Sequence, residues 1–136
     1  APCSGEGMIR KYPEIIDEYS LANIENLANI QSSLLEDAYK ILKSKGQLIY
    51  STCTYAFEED ELQITQFLAK HSDMHLVKLP NTYFSTLEGT MKLSPLNNTE
   101  GQFICLMYKD GEENFKNNLK NDFYNLLNTL SKNSVK

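Results

Sequence analysis

Gln47-Leu48-Ile49-Tyr50-Ser51-Thr52-Cys53-Thr54-Tyr55-Ala56-Phe57-Glu58-Glu59-Asp60-Glu61 is the stretch whose reading decides the fold. Its first five residues, Gln47 to Ser51, read as a short buried strand. Thr52-Cys53-Thr54 is a polar turn, and the acidic run Glu58 to Glu61 suits the positive end of a helix that continues to about Lys70. Upstream, Leu27, Ile30, Leu34, Leu35, Ala38, Ile41 and Leu42 recur at three- and four-residue steps, the stripe of an amphipathic helix beginning near Ser20. Gly46 is expected to supply that helix's left-handed cap. Downstream, Met74 to Leu79 reads as a second strand closed by Pro80, and Gln102 to Tyr108 as a third, buried on both faces by its continuous apolarity. Residues 81–100 read as an irregular connection. Phe115, Leu119, Phe123, Leu126, Leu127 and Leu130 mark a last amphipathic helix in an Asn-rich tail.

This alternation predicts an α/β fold with a mainly parallel sheet, the 58–70 helix making the crossover between the first two strands. Three strands are few for that design. With an opening that lacks Met, the chain is expected to be the C-terminal portion of a larger α/β domain, spanning residues 1–109, followed by a helical tail at 110–136. Its strand 47–51, once unpaired on one side, is an edge that invites self-association.

Composition narrows the function. The 136 residues are 41% hydrophobic and 23% charged, within the range of ordinary globular chains. No apolar run is long enough to span a bilayer and no signal peptide is visible, so a cytoplasmic protein without a membrane partner is expected. Cys3, Cys53 and Cys105 are too widely spaced for a zinc site and cannot all pair, which favours reduced thiols and no metal. Residues 1–111 hold 9 basic against 15 acidic side chains. A nucleic-acid partner would therefore be gripped mainly from elsewhere.

The segments Ala1-Pro2-Cys3-Ser4-Gly5-Glu6-Gly7 and Leu48-Ile49-Tyr50-Ser51-Thr52-Cys53-Thr54-Tyr55, the second followed by Glu58-Glu59-Asp60-Glu61, carry a Pro-Cys and a Thr-Cys motif in one order. Together they resemble the catalytic domain of the Nol/Nop/Sun family of RNA cytosine-5 methyltransferases. The helix residues Gln31, Leu34, Leu35 and Ala38, then Ser94-Pro95 and Glu100-Gly101-Gln102-Phe103, extend the resemblance to about residue 109. It implies a Rossmann-like fold dependent on S-adenosylmethionine, with the last strand antiparallel between the other two, and RNA, ribosomal by the nearest likeness, as partner.

Two cysteines make chemical sense for such a reaction. Carbon 5 of cytosine is a weak nucleophile, but a thiolate adding at carbon 6 turns the ring into an enamine that attacks a sulfonium methyl; loss of the carbon 5 proton then expels the thiol. By the resemblance, Cys53 is the nucleophile and Cys3 assists product release. A helix N-terminus behind the turn would lower the Cys53 pKa, opposed by Glu58 to Glu61. The family's glycine-rich cofactor turns, and the Asp that precedes its Ala-Pro-Cys segment, do not occur in this sequence. No S-adenosylmethionine is therefore expected on this chain, which alone would be inactive. The alternative from another class is a non-catalytic remnant or protein-interaction module that docks through the 115–130 helix.

Other chemistry-bearing residues read more simply. Cys105 belongs to a core strand. His71 and His75 lack matched partners and suit packing or surface roles. Glu58 to Glu61 suit a solvated first turn, Arg10 and Lys11 a surface, and Ser51, Thr52 and Thr54 have no His/Asp pair to activate them.

Overall fold

The computed structural model describes residues 1–80, 85–110, 124, 125 and 127–129. A 3-10 turn at Glu6–Met8 and a short helix α1 (Ile15–Glu18) lead into α2 (Leu21–Ile41), capped by the Ser20 hydroxyl accepting from the Asn23 N–H at 3.1 Å. Strand β1 (Gln47–Thr52) and helix α3 (Glu61–Lys70) follow, then β2 (Met74–Leu76), β3 (Met91–Leu93) and β4 (Gln102–Lys109). Among the described residues no helix is long and apolar enough to cross a membrane.

Strand β4 organises the sheet. It pairs antiparallel with β1 along six positions from Gln47↔Tyr108 to Thr52↔Phe103, with β2 from Met74↔Lys109 to Leu76↔Met107, and with β3 from Met91↔Ile104 to Leu93↔Gln102. Since β1 occupies one edge of β4, β2 and β3 share the other end to end. The last strand thus lies antiparallel between the other two, as the resemblance implied. The expected mainly parallel pairing is corrected: β1 and β2 run in the same direction, but β4 is inserted between them and every described pairing is antiparallel.

Other departures have local causes. The second strand stops at Leu76 rather than Leu79, although the Val77 N–H still donates to Leu106 O at 2.8 Å. The stretch read as irregular contains β3, whose three residues are too few to show a period. The left-handed residue after α2 is Lys45, with φ 68°, not Gly46. Gly46 is instead needed for space, because a Cβ there would lie 2.7 Å from Leu42 Cδ1 and from Lys43 O. Helix α2 buries Ile24, Gln31 and Leu35, while Ile30, Leu34 and Ile41 of the expected stripe are exposed. Strand β1 is only partly buried, with Ile49 exposed.

The side chains of β4 alternate between two cores. Phe103, Cys105 and Met107 pack with Leu35, Tyr50, Ile64, Phe67 and Met74 beneath α2 and α3. On the opposite face Ile104 and Leu106 meet Val77, Leu79, Met91 and Leu127. The tail helix expected over 115–130 lies largely outside the described residues; residues 124, 125 and 127–129 are helical, and Leu127 is buried on this second face.

Because β4 is buried on both sides, truncations there should register as stability losses. Leu106→Ala is expected to cost about 3 kcal/mol and Cys105→Ala about 1 kcal/mol. Urea titration should show both as a lower midpoint with an unchanged slope.

Candidate active site

Beyond β1 the chain turns through Thr52-Cys53-Thr54-Tyr55, and the hydroxyls in this turn tie it together. Thr52 Oγ1 donates to Asp60 Oδ1 at 2.5 Å, and Thr54 Oγ1 accepts from the Ala56 N–H at 3.2 Å. These short polar side chains bond the backbone locally, which favours a turn over continued strand. The Glu6 carboxylate closes the outer side, with Oε1 accepting from the Tyr55 N–H at 2.7 Å and from Thr54 Oγ1 at 3.3 Å. Tyr19 also leans on Glu6, whose hydrogen bond is the main reason its hydroxyl is pushed up to about 12.

The N-terminal segment is laid across this turn by backbone contacts. The Ala1 nitrogen donates to Ser51 O at 2.7 Å and the Gly7 N–H to Cys53 O at 2.9 Å, while the Gly101 N–H donates to Gly7 O at 2.9 Å. A Cβ on Gly7 would sit 2.6 Å from Gly101 O and 2.7 Å from Cys53 O, so only glycine lets the three strands of chain approach this closely. Gly5, at φ 75°, makes the left-handed bend before the 3-10 turn.

This crossing brings the two cysteines into contact. Cys3 Sγ and Cys53 Sγ lie 2.9 Å apart, both free and both partly buried, and the Cys53 N–H points at Cys3 Sγ from 3.2 Å. Hydrogen bonding from the Cys53 thiol, assisted by the backbone N–H groups of Cys53 and Gly5, pulls the Cys3 thiol down to about 6 against the opposing effect of burial. The same hydrogen bond, with burial and the charge on Cys3, pushes Cys53 up. The Cys53 shift is upward, against the lowering expected from a helix N-terminus behind the turn, and its largest cause is the hydrogen bond with Cys3.

The acidic run is not a solvated first turn. Glu59, Asp60 and Glu61 are all buried, and α3 begins only at Glu61. Glu59 accepts the Ser4 N–H on both oxygens, at 3.1 and 3.3 Å, and Gln31 Nε2 at 2.8 Å. Lys92 of β3 faces the other two, with Nζ 2.8 Å from Glu61 Oε2, 3.1 Å from Asp60 Oδ2 and 3.2 Å from Tyr55 O. Burial nevertheless pushes Asp60 up to about 7. Gln31 and Lys92 are absent from the sequence-derived set of candidate site residues. Gln31 could have been noticed as a polar residue in helical phase with Ile24 and Leu35; Lys92 carries no comparable signal.

The remaining candidates take packing or surface places, although both histidines, expected to lack matched partners, have an acid beside them. Cys105 is fully buried in β4. His71 stacks on Tyr39 at 3.8 Å between ring centres and meets Glu36 Oε2 at 3.0 Å, while His75 pairs with Asp110 at 2.6 Å. Arg10 is engaged by Glu100 at 2.7 Å. Among the described residues no group of three or more His, Cys, Asp or Glu could hold a metal. A Cβ on Gly7, Gly46 or Gly101 would lie 2.7 Å or less from protein atoms, so these three glycines are closed by the fold itself. A groove of about 600 Å³ opens beside the turn, lined in part by Tyr55, Phe57, Pro95 and Leu96.

Comparison with known proteins places this geometry. Residues 1–108 match the family model described as 16S rRNA methyltransferase RsmB/F. A relative named ribosomal RNA small subunit methyltransferase F, from Vibrio cholerae serotype O1, is 51% identical over 116 residues, covering 80% of this chain and 24% of that protein. The crystal structure of PH0851 superposes with a TM-score of 0.76 at 38% identity, covering 80% of this chain and 25% of that one. NSun6 from Pyrococcus horikoshii, in a structure with SFG, gives a TM-score of 0.66 at 28% identity, covering 82% and 29%. The chain spans about a quarter of the length of the curated relatives it matches.

The thiol pair makes a pH prediction. Cys3 should be alkylated by iodoacetamide with a midpoint near pH 6, the thiolate accumulating as pH rises through that value. Cys53→Ala removes the hydrogen bond that lowers Cys3, and the midpoint should move up toward the ordinary thiol range. Mass spectrometry of tryptic peptides across a pH series reads both.

Proposed function

Since the chain belongs to the 16S rRNA methyltransferase RsmB/F family, with a Rossmann-like methyltransferase fold, we propose that it carries the two-thiol centre of an S-adenosylmethionine-dependent RNA cytosine-5 methyltransferase acting on ribosomal RNA. The observation that carries this reading is the 2.9 Å contact between Cys3 and Cys53 at the end of β1. Strand ends of open α/β sheets are where ligands are held. SFG, an analogue of S-adenosylmethionine, in the NSun6 neighbour supports the choice of methyl donor. The steps assigned to this chain are those of its own thiols.

Cys53 is the nucleophile. Its proton leaves to solvent as its sulfur bonds to carbon 6 of cytosine. Once carbon 5 carries the methyl group, the Cys3 thiolate takes the carbon 5 proton, the electron pair re-forms the 5,6 double bond, and the carbon–sulfur bond to Cys53 breaks. The Cys3 sulfur, held 2.9 Å from that of Cys53, lies within reach of the adduct Cys53 forms, which suits it to the base role.

The test uses this sequence within a complete family domain, with RNA and S-adenosylmethionine. Cys53→Ala should abolish both turnover and the covalent RNA adduct. Cys3→Ala should still form the adduct but stall its release, so that a denaturation-resistant protein–RNA species accumulates while turnover falls. An adduct formed by Cys53→Ala and not by Cys3→Ala reverses the assignment.

A further inference from the structure

Cys3 lies in a segment without regular structure, yet its sulfur must stay within contact of Cys53. The peptides on both sides of it are held. Before it, Pro2 O accepts from Gln31 Nε2 at 2.7 Å; after it, the Ser4 N–H donates to both oxygens of Glu59. The two holding side chains are themselves joined, Gln31 Nε2 to Glu59 Oε2 at 2.8 Å, and both are fully buried. Glu59 stands six residues after Cys53 on the same turn, and Gln31 sits midway along α2. The same hydrogen-bonded pair therefore spans from the helix, past the backbone of Cys3, to the turn of Cys53.

We propose that Glu59 and Gln31 are positioning residues, a clamp that fixes Cys3 against Cys53 for its part in product release. The role in release rests on the function proposed above; the clamp itself does not. The arrangement has the marks of a placed device rather than of packing. A carboxylate buried among apolar neighbours is costly unless its oxygens are filled, and both Glu59 oxygens are filled by donors from Cys3's own neighbour or from Gln31. The clamp acts through position, because Glu59 touches neither sulfur. Its charge works in the other direction, opposing the thiolate on Cys3.

The thiols supply a ruler that requires no turnover. In the 136-residue chain, mild oxidation with diamide should close a Cys3–Cys53 disulfide rapidly, since the sulfurs are already in contact. Glu59→Ala and Gln31→Ala each release one side of Cys3 and should slow that closure by on the order of tenfold or more, the loss expected when two groups no longer share a fixed geometry. Glu59→Gln should retain closure within about twofold. Its amide oxygen still accepts from Ser4, and its NH2 can donate to Gln31 Oε1, a buried atom with no partner among the described residues. With the negative charge gone, the Cys3 alkylation midpoint should also fall in Glu59→Gln. The titratable neighbours Cys53 and Tyr50 are unchanged.

Closure at the wild-type rate in a folded Glu59→Ala chain, judged by circular dichroism, overturns the clamp. If that variant does not fold, Gln31→Ala decides by the same two outcomes. In a complete family domain, Glu59→Ala should accumulate the RNA adduct as Cys3→Ala does. Slow closure without adduct accumulation keeps the clamp and removes Cys3 from product release, so the two failures are distinguishable.

Discussion

Three backbone segments remote in sequence meet at Gly7, and the site depends on that meeting. Cys53 O accepts from Gly7, Gly7 O accepts from Gly101, and no side chain separates them. Hydrogen bonds between main chains are short and directional, and here they set the distance between the segment that carries Cys3 and the turn that carries Cys53. The two thiols touch because two residues without a Cβ allow their supports to touch. Gly101 is held in turn by its place immediately before β4, the strand every other described strand pairs with. The most buried element of the fold thus sets the geometry of a partly solvent-facing pair of sulfurs.

Much of this could be read from residue order. The continuous apolar run Gln102 to Tyr108 announced a strand buried on both faces, and Gly46 announced the end of a long helix. The two cysteine motifs, through the family resemblance, assigned Cys3 and Cys53 to one site. What periodicity could not reveal was long-range choice. Whether β4 enters beside β1 or beyond β2 is a matter of tertiary pairing, and nothing in either strand's own pattern encodes it. Strand β3, at three residues, falls below the length at which alternation can be seen.

The acidic run shows a different limit. Four consecutive carboxylates look solvated because burying a charge is expensive. The compensation comes from Ser4, Gln31, Thr52 and Lys92, all distant in sequence or weak as local signals, so the run's true environment is invisible to a local reading. Glu59 and Asp60, just ahead of α3, are spent on contacts across the fold instead of on the helix's first turn, while Glu58 is exposed.

Lys92 has a consequence for how this chain can vary. It is a single ammonium facing two buried carboxylates, Asp60 and Glu61, from a strand some thirty residues away. Replacing the lysine alone would leave two acids side by side without a counter-charge, whereas neutralising either acid alone would leave the lysine paired one to one with the other. A drifting sequence therefore has an ordered way out of this arrangement: an acid goes first and the lysine after it. Divergence in β3 follows divergence in the turn beneath the thiols.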